Sequence, residues 1–117
     1  MEEQTFEQAA DKMINWWLER ISESTINLPG RNSKPDEEKI VLFKQEFKRQ
    51  LLLIDKGKNY IYVGVDYDPC PILFHSCQVA NIDMFFCLPI KTRSWIVRNE
   101  GNKVSISQGS GSPIIEI

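Results

Sequence analysis

The hydrophobic period of this 117-residue chain changes near residue 59, from about three and a half residues to two. That switch constrains the fold more than any other feature, because a helical stripe and an alternating strand cannot exchange places. Thr5 followed by Gln8 is a capping-box pattern, and Phe6, Ala10, Met13, Trp17 and Ile21 recur at helical spacing. A first amphipathic helix is therefore expected over residues 5 to about 23. "STINLPGRNSK" ends it, with Pro29-Gly30 as the break.

A second helix follows. Ser33 is the better capping residue beside Lys34, Pro35 suits the first turn, and Asp36, Glu37 and Glu38 face the positive end of the helix dipole. Its apolar stripe is Ile40, Phe43, Phe47, Leu51 and Ile54, with Lys48, Arg49 and Lys56 toward the negative end and Gly57 as the C′ residue. Two such helices joined by a loop predict an antiparallel pair.

Within "NYIYVGVDY" the pattern alternates. Ile61, Val63, Val65 and Tyr67 share one face of a strand, and Tyr60, Tyr62, Gly64 and Asp66 share the other. Gly64 mid-strand marks a bulge or a close approach by another backbone. Asp68-Pro69 reads as a cap and first turn, and "PILFHSCQVANI" ends in Asn81 and Ile82 as a left-handed stop. A short helix over residues 69–80 is expected, with a buried strand through Ile72–Phe74 as its rival. "MFFCLPIK" is a connector. "TRSWIVRN" and "KVSISQ" form a hairpin around Gly101, "GSGSP" is a turn, and "IIEI" is a last strand. The order ααβαβββ specifies a single α+β domain over residues 1–117: an antiparallel sheet of about four strands with helices on one face.

Composition narrows the function classes. Hydrophobic residues make up 42% and charged residues 26%, which is globular. The formal net charge of −2 disfavours a general binder of nucleic acid or anionic membrane. No apolar run approaches the roughly twenty residues of a membrane helix. "MEEQTFEQAADK" lacks the basic and apolar regions of a signal peptide, and the three cysteines are an odd number. Free thiols and a cytoplasmic location are expected. Abundant isoleucine, asparagine and lysine hint at an A/T-rich genome, bacterial or phage.

The densest chemistry lies in "GVDYDPCPILFHSC". On a helix Cys70 and Cys77 would stand about 10 Å apart along the axis, too far for a disulfide. His75 and Cys77 would point about 160° apart, a poor nucleophile–base pair. Cys70, His75, Cys77 and Cys87 lack the close ligand pairs of a zinc site. Asp66 and Asp68 share a strand face and could hold a divalent ion, but Asp68 already serves as a cap. These residues read as helix start and core, so no catalytic residue, metal or cofactor is expected. "QGSGSP" lacks the lysine and following helix of a phosphate loop.

Two surface features remain. Lys91, Arg93 and Trp95 recur with period two, so they share one strand face, a platform for an anionic ligand with Tyr60 or Tyr62 from a neighbouring strand. Trp16 falls at the edge of the first helix's stripe: either the stripe is wide or another molecule covers it. "IIEI" is an apolar strand without protective lysine or proline, either paired or used for association. The leading expectation is a small non-enzymatic protein-binding or inhibitor-type accessory module, self-associating through the first helix or last strand. The alternative is a small-ligand or nucleotide binder on the basic and aromatic strand face. A metal-dependent hydrolase on Asp66, Asp68 and His75 is the third reading.

Overall fold

The computed structural model describes residues 4–23, 37–54, 57–65, 70–82, 91–109 and 113–117. The element order is α1 (Phe6–Glu23), α2 (Glu37–Leu52), β1 (Tyr60–Val65), α3 (Pro71–Ala80), β2 (Thr92–Val97), a 3-10 turn (Arg98–Glu100), β3 (Lys103–Gln108) and β4 (Ile115–Glu116). This is the expected α+β fold, a four-stranded antiparallel sheet in the order β1-β2-β3-β4. The expected strand rival for "PILFHSCQVA" is excluded, because that segment is helical. The Pro29-Gly30 break, Ser33, Pro35, Asp66, Tyr67, Asp68, Cys87 and the rest of the connector lie outside the described residues.

Helix α1 begins as its sequence dictates. The Thr5 backbone N–H donates to Gln8 Oε1 at 2.9 Å, and the Gln8 N–H donates to Thr5 Oγ1 at 3.1 Å, a reciprocal capping box. The helix packs against β2 and β3 on one side and α2 on another, while α3 packs against α2 and β1. Contact with both sheet and helix makes its buried stripe wide: Ala9, Ala10, Met13, Ile14, Trp16, Trp17, Leu18 and Ile21. Phe43, Phe47 and Leu51 of α2 are fully buried, with Ile40 and Ile54 packed at the margin.

Helix α2 ends sooner than the Gly57 stop implied. After Leu52 the Leu53 N–H is shared between the Arg49 and Gln50 carbonyls at 3.2 and 3.3 Å, and Ile54 N–H donates to Leu51 O at 3.3 Å. This tightened last turn satisfies the Arg49, Gln50 and Leu51 carbonyls and keeps Ile54 against the core.

Helix α3 starts at Pro71, not 69, and its N-cap is Cys70 instead of Asp68. The reason is the second proline. A residue before proline is driven out of the helical region, and Cys70 has φ −64° and ψ 163°. The C-terminal stop is as expected: Asn81 is left-handed at φ 55°, and Ile82 N–H reaches back to Cys77 O at 2.9 Å. Because Asn tolerates that conformation better than branched residues, Asn81→Gly should leave stability within a few tenths of a kcal/mol, whereas Asn81→Val should cost about 1–2 kcal/mol. Thermal melts of the two variants check the order.

On the surface of α2, Arg49 donates to both Glu46 oxygens, Nε to Oε2 at 2.9 Å and Nη2 to Oε1 at 2.6 Å, and Gln50 adds a bond at 3.0 Å. These bonds, Arg49's first, hold the Glu46 carboxyl down from 4.5 to about 2. A depressed carboxylate contributes stability above its ordinary range and loses it as pH falls toward about 2. A carboxyl-detected NMR titration should find that midpoint, and Arg49→Ala should return it toward the ordinary range.

Candidate functional site

The sheet has two unlike faces. Toward the helices it presents Ile61, Val63 and Val65 of β1, Thr92, Ser94 and Ile96 of β2, and Val104 and Ile106 of β3, all buried. A buried hydrogen-bond chain fastens α1 to this face: Trp17 Nε1–H donates to Ser94 Oγ at 2.9 Å, and the Ser94 hydroxyl donates to the Val63 carbonyl.

The register fixes what the opposite face carries. Tyr62 pairs with Trp95, Gly64 with Arg93, and Tyr60 with Val97. Across the next ladder Arg93 pairs with Ser107, Trp95 with Ser105 and Val97 with Lys103, and Ser105 then pairs with Glu116. Tyr60 is 63% exposed and Tyr62 41%, Arg93 and Lys103 are exposed, and Trp95 is half-buried. The Tyr62 and Trp95 ring centroids lie 6.1 Å apart with planes tilted by 50°, within the range of favourable aromatic pairs. Lys103 Nζ lies 3.8 Å from Glu116 Oε2.

Gly64 shapes the platform. A Cβ at this position would lie 2.5 Å from the Tyr62 hydroxyl oxygen, 2.7 Å from its Cζ and 3.0 Å from the Thr92 carbonyl oxygen. The expected close approach is therefore made chiefly by Tyr62's own ring, which folds along β1 over the bare backbone. The aromatic body lies down on the sheet, with its hydroxyl in the cross-strand row that holds Arg93.

The structure thus brings Tyr62, Arg93 and Trp95 together. Lys91 departs from the expected alternation. It sits in a turn with φ 56°, accepting the Gly109 N–H at 2.8 Å on its carbonyl, and this left-handed residue breaks the period before β2 begins. Arg98 likewise leaves the strand pattern. Its guanidinium lies 4.4 Å from the centre of the Phe6 ring and donates to the Lys58 carbonyl at 3.1 Å.

Trp16 is only 8% exposed: it stacks edge-on with Trp17 at 5.2 Å and lies under the Arg20 guanidinium at 5.0 Å. The wide stripe, not a second molecule, accounts for its burial. His75 is exposed on α3 with its ring edge-on to Phe74 at 5.7 Å, while Cys77 is fully buried on the other side of that helix. Asp66 lies outside the described residues. Among the described residues no three His, Cys, Asp or Glu side chains gather as metal ligands, and no helix is long and apolar enough to cross a membrane.

Alternation in "KVSISQ" puts Lys103, Ser105 and Ser107 on the face opposite Val104 and Ile106, and through them the platform extends onto β3. A groove of about 340 Å³ between α1 and α2, lined by Asp11, Ile14, Asn15, Lys44 and Lys48, had no sequence signal. Lys48 bridges it to Asp11 at 3.2 Å and Glu7 at 3.6 Å. Asp11 first, then Glu7, raises the Lys48 ammonium above its ordinary pKa. The groove's Lys48 is engaged in interhelical ion pairs, and the sheet face is the better recognition surface.

Compared with known proteins, the chain matches no family model and shows no significant similarity to a curated protein.

Proposed function

We propose that this chain is a cytoplasmic binding protein, working by recognition instead of catalysis, and that it holds an anionic, ring-bearing partner on the outer face of its sheet. The observation that carries this reading is the cross-strand pair of Tyr62 and Trp95, 6.1 Å apart on the exposed face, with Arg93 in the adjacent row. Exposed aromatic rings beside a guanidinium are the side chains most enriched at binding hot spots, and a solvated sheet face is ordinarily polar. The reactive residues described elsewhere support recognition over chemistry, since His75 and Cys77 occupy opposite sides of one helix.

The second reading, association with a protein partner or another copy through the last strand, draws on Ile114 and Ile115, which are 67% and 54% exposed beside the sheet edge. Association through α1 loses its motive, because Trp16 is already covered within the chain. A thermal-shift and fluorescence panel of nucleotides, oligonucleotides and acidic peptides separates the two readings. We expect at least one anionic member to raise the melting temperature and perturb Trp95 emission, with Trp95→Ala abolishing both responses. A panel that leaves the protein unmoved, together with concentration-dependent mass by light scattering, would favour the strand-edge reading.

A further inference from the structure

Resting on that reading, we propose that the partner is a single-stranded nucleic acid laid along β2, its bases stacked on Tyr62 and Trp95 and its phosphates held by Arg93 and Lys103. Three observations lead there. The first is charge. The chain as a whole carries −2, yet the described residues in the outer rows of the sheet hold two cations, Arg93 and Lys103, against one acid, Glu116. The expectation against nucleic acid came from the whole-chain balance, and among the described residues the outer face has the opposite sign. Electrostatic attraction follows the local field of the contacting face.

The second is spacing. Arg93 and the Val97–Lys103 pair stand at opposite ends of β2, four residues apart and so about 13 Å along the strand, with Trp95 midway. A mononucleotide stacked on Trp95 reaches one of these cations with its phosphate. A polymer with phosphates on either side of the stacked base reaches both. Tyr60, in the row that holds Lys103, adds a third ring at that end.

The third is shape. A sheet face is a platform without walls, and small ligands rely on enclosure. Single strands instead gather stacking and phosphate contacts along an open surface. Tyr62, whose ring reaches along β1 over Gly64, contributes to such a platform. Stacking accepts any base, so recognition is sequence-tolerant. Glu116, 3.8 Å from Lys103, opposes phosphate binding at that end.

The test is fluorescence anisotropy at low salt with a labelled ten-residue oligothymidylate and its oligouridylate counterpart, beside free thymidine monophosphate and an oligoglutamate peptide. Both oligonucleotides should bind, and the monophosphate at least about tenfold more weakly. Trp95→Ala and Tyr62→Ala should each weaken oligonucleotide binding about 5- to 150-fold, the loss of one base stack. Two phosphate contacts predict that log K falls with log salt at a slope near −1.4, and Lys103→Gln should halve that slope. Glu116→Gln should tighten binding. Matched melting temperatures identify the folded variants, and Lys103→Gln and Glu116→Gln change only exposed side chains.

Oligonucleotides that fail to bind, or that bind both alanine variants like the parent, overturn this inference. If only the monophosphate binds, and Trp95→Ala removes it, the inference falls while the anionic recognition face stands; binding by the acidic peptide alone removes both. Silence from every anion removes both.

Discussion

Trp17→Ala should destabilise the protein by about 3–5 kcal/mol, the largest loss expected from any single substitution here. Trp17 is the largest fully buried side chain, and it sits where α1 crosses β2 and β3. Truncation removes its apolar area and leaves a cavity that the surrounding Met13, Ile21 and strand residues can fill only in part. The polar share can be isolated. Ser94→Ala strands a buried indole N–H that now donates to Ser94 Oγ at 2.9 Å, at a cost of about 1–3 kcal/mol. Trp17→Phe keeps much of the ring burial but deletes the donor. Combined with Ser94→Ala it removes both partners, so the pair should cost less than the sum of the singles by about 0.5–3 kcal/mol. Urea denaturation of the four proteins measures that coupling. Strict additivity would mean that the hydrogen bond contributes nothing beyond packing.

This chain of contacts also shows what could be read in advance. Trp17 was legible as a core residue because it shares the helical stripe with Met13 and Ile21, and Ser94, between Arg93 and Trp95 in "TRSWIVRN", falls on the opposite strand face. That the two meet was not, since they lie 77 positions apart and periodicity carries no information across that distance. Local rules served well where the determinants were local. The Thr5–Gln8 box and the Asn81 stop formed as written, because each is a bond between residues three to five positions apart. They failed where two local signals competed. Asp68-Pro69 and Cys70-Pro71 both propose a helix start, and only the backbone restriction before the second proline decides between them. Trp16 was ambiguous for a third reason: stripe width depends on how many neighbours a helix has, and α1 has two layers of them. The candidate face was half legible. Alternation put Arg93 and Trp95 together, but their pairing with Gly64 and Tyr62 is a matter of register between strands separated by α3.

Gly64→Ala tests whether that register builds a surface or merely a sheet, and two opposing effects set its outcome. Alanine favours the strand over glycine by about 0.5–1 kcal/mol through the unfolded chain's entropy. Against this, the new methyl would stand 2.5 Å from the Tyr62 hydroxyl and 3.0 Å from the Thr92 carbonyl oxygen. Overpacking of this kind costs about 1–3 kcal/mol. The Thr92 contact is backbone and must shift by tenths of an ångström, whereas the tyrosine ring can swing out into solvent, so most of the relief comes from Tyr62. We therefore expect a net loss of about 1 kcal/mol, accompanied by displacement of the ring from its place 6.1 Å from Trp95. In a Tyr62→Ala background the obstructing ring is absent, and the same Gly64→Ala change should cost less or turn stabilising. The sign of that difference is the diagnostic, because a glycine needed only for backbone reasons would give the same penalty with or without the ring. Gly64→Ala should also weaken whatever the face binds nearly as much as Tyr62→Ala does, since the tyrosine remains in the chain but its stacking surface is displaced.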